Sequence, residues 1–102
     1  MIDAHAFSLM KPSAIFINTA RGRIVDEEAL IDALRTGQIA GTGLDVFEVE
    51  PLPGDSPLTS FDNVVMTSHS AGVTPEALEA GLQMAIANVF GFLDGNPAHV
   101  VV

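Results

Sequence analysis

Two short apolar runs with a sharply delimited helix between them constrain this chain more than any other feature. Residues 14–18 read Ala-Ile-Phe-Ile-Asn and residues 39–46 read Ile-Ala-Gly-Thr-Gly-Leu-Asp-Val. Runs of this length and composition are strands, and the first, with no polar alternation, reads as buried on both faces. Gly41 and Gly43 weaken the second and point to close backbone approach by a neighbour. Residues 26–36 lie between the runs and spell a helix. Asp26 is placed to cap its N-terminus, and Glu27 and Glu28 put negative charge at the positive end of the dipole. Ala29, Leu30, Ala33 and Leu34 share one face, Arg35 lies in the last turn, and Gly37 is a natural residue just past the end. A strand, a helix and a strand joined by short links call for a right-handed crossover and a parallel pair.

The rest of the chain extends this order. Residues 2–10 read as the tail of a helix, broken by Lys11-Pro12-Ser13. Residues 47–60 form a loop punctuated by Pro51, Pro53, Gly54 and Pro57, with too little periodicity for a helix, and residues 63–67 form a third strand. Thr74-Pro75-Glu76 opens a long helix with Thr74 as its cap and Pro75 at its first position. Leu78, Leu82, Ile86, Val89, Phe90 and Leu93 keep one side apolar until Gly95-Asn96-Pro97, and the Met and Phe residues of this helix read as core. The fold class expected is α/β, with three parallel strands and flanking helices.

Composition narrows the function. A formal charge of −9 and the absence of any basic stripe argue against a nucleic-acid partner. With no cysteine there is neither a disulfide nor thiolate chemistry, a composition that suits the cytoplasm. No apolar run has the length of a membrane span, and no signal peptide is read. Hydrophobic residues make up 48% and charged residues 17%, rich enough that some apolar surface is expected to meet a partner or another segment.

In open parallel sheets ligands bind outside the carboxyl ends of the strands. The first strand delivers Asn18, Thr19, Ala20 and Arg21 there, the second Asp45 with Glu48 and Glu50 in the loop beyond, and the third Thr67, Ser68 and His69. A guanidinium, a carboxylate and an imidazole along one rim make an acid–base site: arginine grips a carboxylate, histidine moves a proton near neutrality, and an acid orients the ring. Such a set suits reduction of a 2-oxo acid but supplies no hydride, so a nicotinamide cofactor is required. Taken singly each residue has a plainer explanation. Arg21 and Arg23 are then solvated, Asp45 is a turn former, Glu48 is a loop charge and His69 is a satisfied turn residue. His5 and His99 are given no role.

Taken together, several motifs in order resemble one family, the NAD-dependent D-isomer-specific 2-hydroxyacid dehydrogenases. They are Met10-Lys11-Pro12, Ile17-Asn18-Thr19-Ala20-Arg21-Gly22, Val25-Asp26-Glu27-Glu28-Ala29-Leu30, Gly43-Leu44-Asp45-Val46-Phe47, Glu50-Pro51-Leu52, Pro57-Leu58 and Thr67-Ser68-His69, and the resemblance covers residues 2–95. It implies that Arg21 binds substrate, that His69 is the general acid in carbonyl reduction, and that Glu50 is the acid paired with it. It also implies that Asp45 holds the nicotinamide carboxamide and that Thr19, Ala20 and Gly72 fall on the nicotinamide side of the cofactor. The cofactor implied is NAD, with NADP left open, and the substrate a small 2-oxo or 2-hydroxy acid.

Two local departures are Ser68, where the family usually has proline, and Ser13, where it often has glycine. The Gly-rich phosphate turn of the family does not occur in these 102 residues. The resemblance therefore implies the C-terminal half of a dinucleotide-binding domain, a partial Rossmann-type doubly wound fold in which Met1 sits within a helix. A fragment or partial gene product, inactive alone, is the reading expected. The alternative is a non-catalytic module that self-associates or binds a partner through an exposed sheet edge. A formate dehydrogenase reading is disfavoured, because that branch has Gln where Glu50 stands.

Overall fold

The computed structural model describes residues 1–100. It divides into two units, Met1–Ser70 and Ala71–Val102, each taken by itself below.

In the first unit, helix α1 (Ala4–Ser8) leads to strand β1 (Ile15–Asn18), helix α2 (Glu27–Arg35), strand β2 (Gly41–Leu44) and strand β3 (Val64–Met66). The three strands form one parallel sheet in the order β1-β2-β3. This open parallel sheet puts the carboxyl ends of all three strands on one rim. Local chemistry fixes the boundaries of α2. The Asp26 side chain accepts from Ala29 N at 3.0 Å. At the far end Gly37 adopts φ +69°, with Gly37 N donating to Leu34 O and Gln38 N to Ala33 O, the two bonds of a Schellman cap.

The core lies under one face of the sheet. Phe7, Leu30, Leu34, Ile39, Leu44 and Leu58 are buried there, and Phe7 meets Phe16 edge-on at 5.4 Å. Leu58 arrives on a short 3-10 turn, Pro57–Ser60, inside the long loop.

Four expectations need correcting. β1 is not buried on both faces: Ile15 and Ile17 are 62% and 67% exposed, and they share the open face with Val65. An apolar run identifies a strand, but the run does not encode what covers each side. Residues 2–10 do hold a helix, but it is the short α1 with its own start and not the tail of a longer one, and Met1 is not within it. Asp3 caps α1 by accepting from Ala6 N, and Ile2 bridges to Val25 as an added strand-like contact. Gly41 does face a close backbone, with a Cβ there lying 2.6 Å from Asn63 O, but at Gly43 the nearest atom is the Ile17 side chain at an ordinary 3.7 Å.

The second unit holds helix α3 (Pro75–Leu93). Thr74 Oγ1 accepts from Ala77 N at 3.1 Å and Pro75 opens the helix. Gly95 at φ +73° closes it with a second Schellman cap, Asn96 N donating to Gly91 O and Gly95 N to Phe92 O. The fourth correction falls here: Met84, Phe90 and Phe92 are exposed, not core. Among the described residues no helix is long and apolar enough to cross a membrane.

Candidate active site

The end of β1 is shaped by Asn18. This buried side chain donates from Nδ2 to Arg21 O at 2.9 Å and accepts at Oδ1 from Ala20 N at 3.1 Å. Both ends of the amide are thereby satisfied, and residues 18–21 are folded into a turn that leaves Thr19, Ala20 and Arg21 exposed. The Arg21 guanidinium donates from Nη1 to Ala20 O. A 3-10 turn, Gly22–Ile24, follows. Its first residue must be glycine, because a Cβ at position 22 would stand 1.9 Å from Phe47 O and 2.0 Å from Phe47 C. The loop leaving β2 thus lies backbone-to-backbone on the turn that presents Arg21.

That loop carries Glu50. Its Oε1 accepts from Phe47 N at 3.0 Å, and its Oε2 lies 2.8 Å from His69 Nδ1. An ionised carboxylate only accepts, so Nδ1 carries the proton and Nε2 is the nitrogen left for a substrate. The His69 hydrogen bond, then the Phe47 N–H, and then the charges of His69 and Arg21 hold the Glu50 carboxyl below the usual glutamate range. Both side chains are part exposed, 46% for His69 and 36% for Glu50, so the pair is in reach of solvent protons.

His69 is aimed by its backbone. It sits at φ +55°, in the left-handed region, and its N–H donates to Asp45 O at 2.8 Å. The Asp45 carboxylate, 3% exposed, accepts at Oδ1 from the Thr67 hydroxyl and from Ser70 N at 2.9 Å. Asp45 therefore grips the His69 turn from both sides of the histidine.

Two clefts meet at this pair. A cleft of about 610 Å³ is lined by Asp45, Phe47, Glu50, Pro51, Leu52, Met66 and residues 67–70. A second, of about 310 Å³, shares Phe47, Glu50 and His69 and adds Arg21 and Arg23. The larger one joins apolar walls from Phe47, Leu52 and Met66 to a polar rim at Thr67 and His69. The smaller one places a guanidinium beside the same imidazole, as a carboxylate substrate requires.

Of the residues singled out from sequence, Arg21, Glu50 and His69 share a cleft, and Thr19 and Ala20 stand on the Arg21 turn. Asp45 lies beneath His69, and Gly72 belongs to the second unit, in the stretch before α3. Two residues in the quoted motifs received no individual role: Asn18, which builds the Arg21 turn, and Thr67, which binds Asp45. Asn at a strand end is a turn signal that reading by chemistry alone passes over.

Comparison with known proteins shows the family. The sequence profile of the family described as D-isomer specific 2-hydroxyacid dehydrogenase, NAD binding domain, matches residues 1–71. A glyoxylate reductase of Thermofilum pendens is 50% identical over 95 residues, 93% of this chain and 28% of that protein. The structure of a D-isomer specific 2-hydroxyacid dehydrogenase from Xanthobacter autotrophicus Py2, in complex with NADPH and MES, superposes with a TM-score of 0.80 at 43% identity, covering 96% of this chain and 40% of that one. The NAD-complexed enzyme of Lactobacillus delbrueckii ssp. bulgaricus gives 0.74 at 33% identity, covering 100% and 32%. The chain thus spans under half the length of each of these relatives. By its profile match, its identity to these proteins and its parallel sheet, the chain belongs to the D-isomer specific 2-hydroxyacid dehydrogenases, within their NAD(P)-binding domain.

Proposed function

We propose that this chain contributes the acid–base and substrate-gripping side chains of an oxidoreductase that interconverts a short 2-oxo acid and its D-2-hydroxy acid with NAD(P). The observation that carries the reading is the Glu50–His69 contact at 2.8 Å in a cleft shared with Arg21. Arg21 binds the substrate carboxylate and holds the adjacent carbonyl against His69. His69 gives its Nε2 proton to the carbonyl oxygen as the C–O bond becomes single. Glu50 accepts from Nδ1 and so fixes which nitrogen faces the substrate. The reduced nicotinamide, when bound, supplies the hydride to the carbonyl carbon. Solvent then reprotonates the part-exposed ring. Thr19, Ala20, Asp45 and Gly72 are proposed contacts on the nicotinamide side, and the relatives' names favour glyoxylate-sized acids. A cytoplasmic location belongs to the same reading.

The 102 residues span under a third of the glyoxylate reductase's length and contain no Gly-rich phosphate turn. Taken alone they represent the C-terminal half of a dinucleotide-binding domain and are expected to show no turnover of NADH with a 2-oxo acid. The test uses a polypeptide of the relatives' full length that includes this segment. His69→Ala should lower kcat by roughly 10²–10⁴-fold. Arg21→Ala should lower kcat/KM by roughly 10- to 150-fold, the value of a lost hydrogen bond to a charged group. An unchanged rate in His69→Ala removes the acid–base assignment. We further propose association through β1, an edge strand with Ile15 and Ile17 exposed. A monodisperse monomer on sizing at micromolar concentration would discard that.

A further inference from the structure

We infer that Glu27, the first residue of α2, is a positioning residue for the Glu50–His69 pair, acting through the peptide that joins Phe47 to Glu48. Its side-chain Oε2 accepts from Glu48 N at 3.1 Å, reaching across 21 residues of sequence. That N–H belongs to the same peptide unit as Phe47 C and O, the atoms that lie against Gly22. One peptide is thus held from two directions, pressed on the glycine and tied to the head of α2. The neighbouring N–H along the chain, that of Phe47, is the donor that binds Glu50 Oε1, and this leaves Oε2 for His69. The Phe47 N–H lies in the adjacent peptide and shares the Phe47 α-carbon, so a loop freed at Glu48 shifts Phe47 and Glu50 relative to each other, and Glu50 loses the contact that orients it.

An ordinary explanation for an acid at this place is the helix dipole. It applies equally to Glu28 in the same first turn. Of these two acids it is Glu27 that bonds the loop among the described residues, and it is half-buried where Glu28 is exposed. A carboxylate accepting a backbone N–H is also stronger than a neutral acceptor would be. The charged groups around Glu50 are His69, Arg21, Arg23 and Glu48, and none of them substitutes for this tie.

The inference rests on the Glu50–His69 acid–base reading, but its test does not involve turnover. In the labelled 102-residue chain, NMR follows exchange of the Phe47 amide and titration of the Glu50 carboxyl. Glu27→Ala should speed Phe47 exchange by roughly 10-fold or more, as for loss of one hydrogen bond to a charged group, and move the Glu50 titration up toward the ordinary range. Glu27→Asp keeps the charge that the helix needs but is one carbon too short, and it should behave as Glu27→Ala does. This second variant serves if the alanine chain does not fold. Glu27→Gln, whose neutral amide oxygen still accepts from Glu48 N but more weakly, should restore both readouts in part, and Glu28→Ala should leave them at the wild-type values. Wild-type Phe47 exchange and Glu50 titration in a folded Glu27→Ala or Glu27→Asp chain would overturn the inference. So would the same change in Glu28→Ala. Failure of the clamp leaves the catalytic assays untouched, and an unchanged rate in His69→Ala would leave the clamp standing.

Discussion

Replacing Gly22 by alanine tests the central packing claim, that the Arg21 turn and the Glu50 loop lie in direct backbone contact. The added methyl would sit 1.9 Å from Phe47 O, 2.0 Å from Phe47 C and 2.5 Å from Glu48 N. Comfortable carbon contacts begin near 3.5 Å, so relief needs a shift of roughly 1.5 Å. All three obstructing atoms are backbone and cannot rotate away. Overpacking costs about 1–3 kcal/mol, and this site belongs at the upper end, about 2–3 kcal/mol. The entropy gained by removing a glycine offsets only about 0.4–1 kcal/mol of that. With a urea slope of about 1–1.5 kcal/mol/M for a small domain, the unfolding midpoint should fall by roughly 0.7–2.6 M. A loop that yields instead of unfolding takes the Phe47 N–H away from Glu50, and the Glu50 titration then rises. Gly54→Ala is the control: nothing lies within 4 Å of its Cβ position, and the change should stay within about 0.5 kcal/mol. A Gly22→Ala chain with a wild-type midpoint and a wild-type Glu50 titration would refute the contact.

Three further outcomes follow from the geometry. Asp26→Ala removes the α2 cap and should cost about 1 kcal/mol by urea unfolding, with Asp26→Asn near wild type; equal losses in both would show that the cap bond is not what matters. Thr67→Val keeps the shape but deletes the hydroxyl bound to the buried Asp45 carboxylate, and should cost about 1–3 kcal/mol, whereas Thr67→Ser should keep the bond and most of the stability. The Glu50 carboxyl titrates lower in the folded chain, so in that range the unfolded chain binds more protons. Its stabilisation is full above the ordinary glutamate value of about 4.3 and is lost as pH falls through the folded value. Glu50→Gln should flatten that part of the stability–pH curve, and parallel curves for the two proteins would contradict the assignment.

What could be read from sequence was what local chemistry decides. The limits of α2 follow from Asp26 and Gly37, and the start of α3 from Thr74 and Pro75, because capping bonds span three or four residues. The parallel order followed from alternation, and with it the placing of Arg21 and His69 on one rim. Glu50 was harder. Spacing offered Asp45, Glu48 and Glu50 as acids, and only the family resemblance chose among them before the 2.8 Å contact was seen. The illegible parts are contacts between distant segments: the Ile2–Val25 bridge, the Gly22 contact with Phe47, and the tie from Glu27 to Glu48. Each depends on where two loops come to rest, which no window of neighbouring residues contains. The exposed faces of β1 and α3 were misread for a related reason, since apolar character says that a side chain seeks cover but not what provides it.

The left-handed backbone at His69 limits what can stand there. Residues with a branched β-carbon are poorly tolerated at such a φ, while asparagine and aspartate accept it. Most substitutions at this position therefore change two things at once, the imidazole and the fitness of the turn for its own shape. His69→Asn removes the imidazole while respecting the turn, and the difference between it and His69→Ala measures the backbone share. The turn admits few side chains at the position that faces Glu50, and histidine meets its shape while bringing a ring nitrogen to the carboxylate.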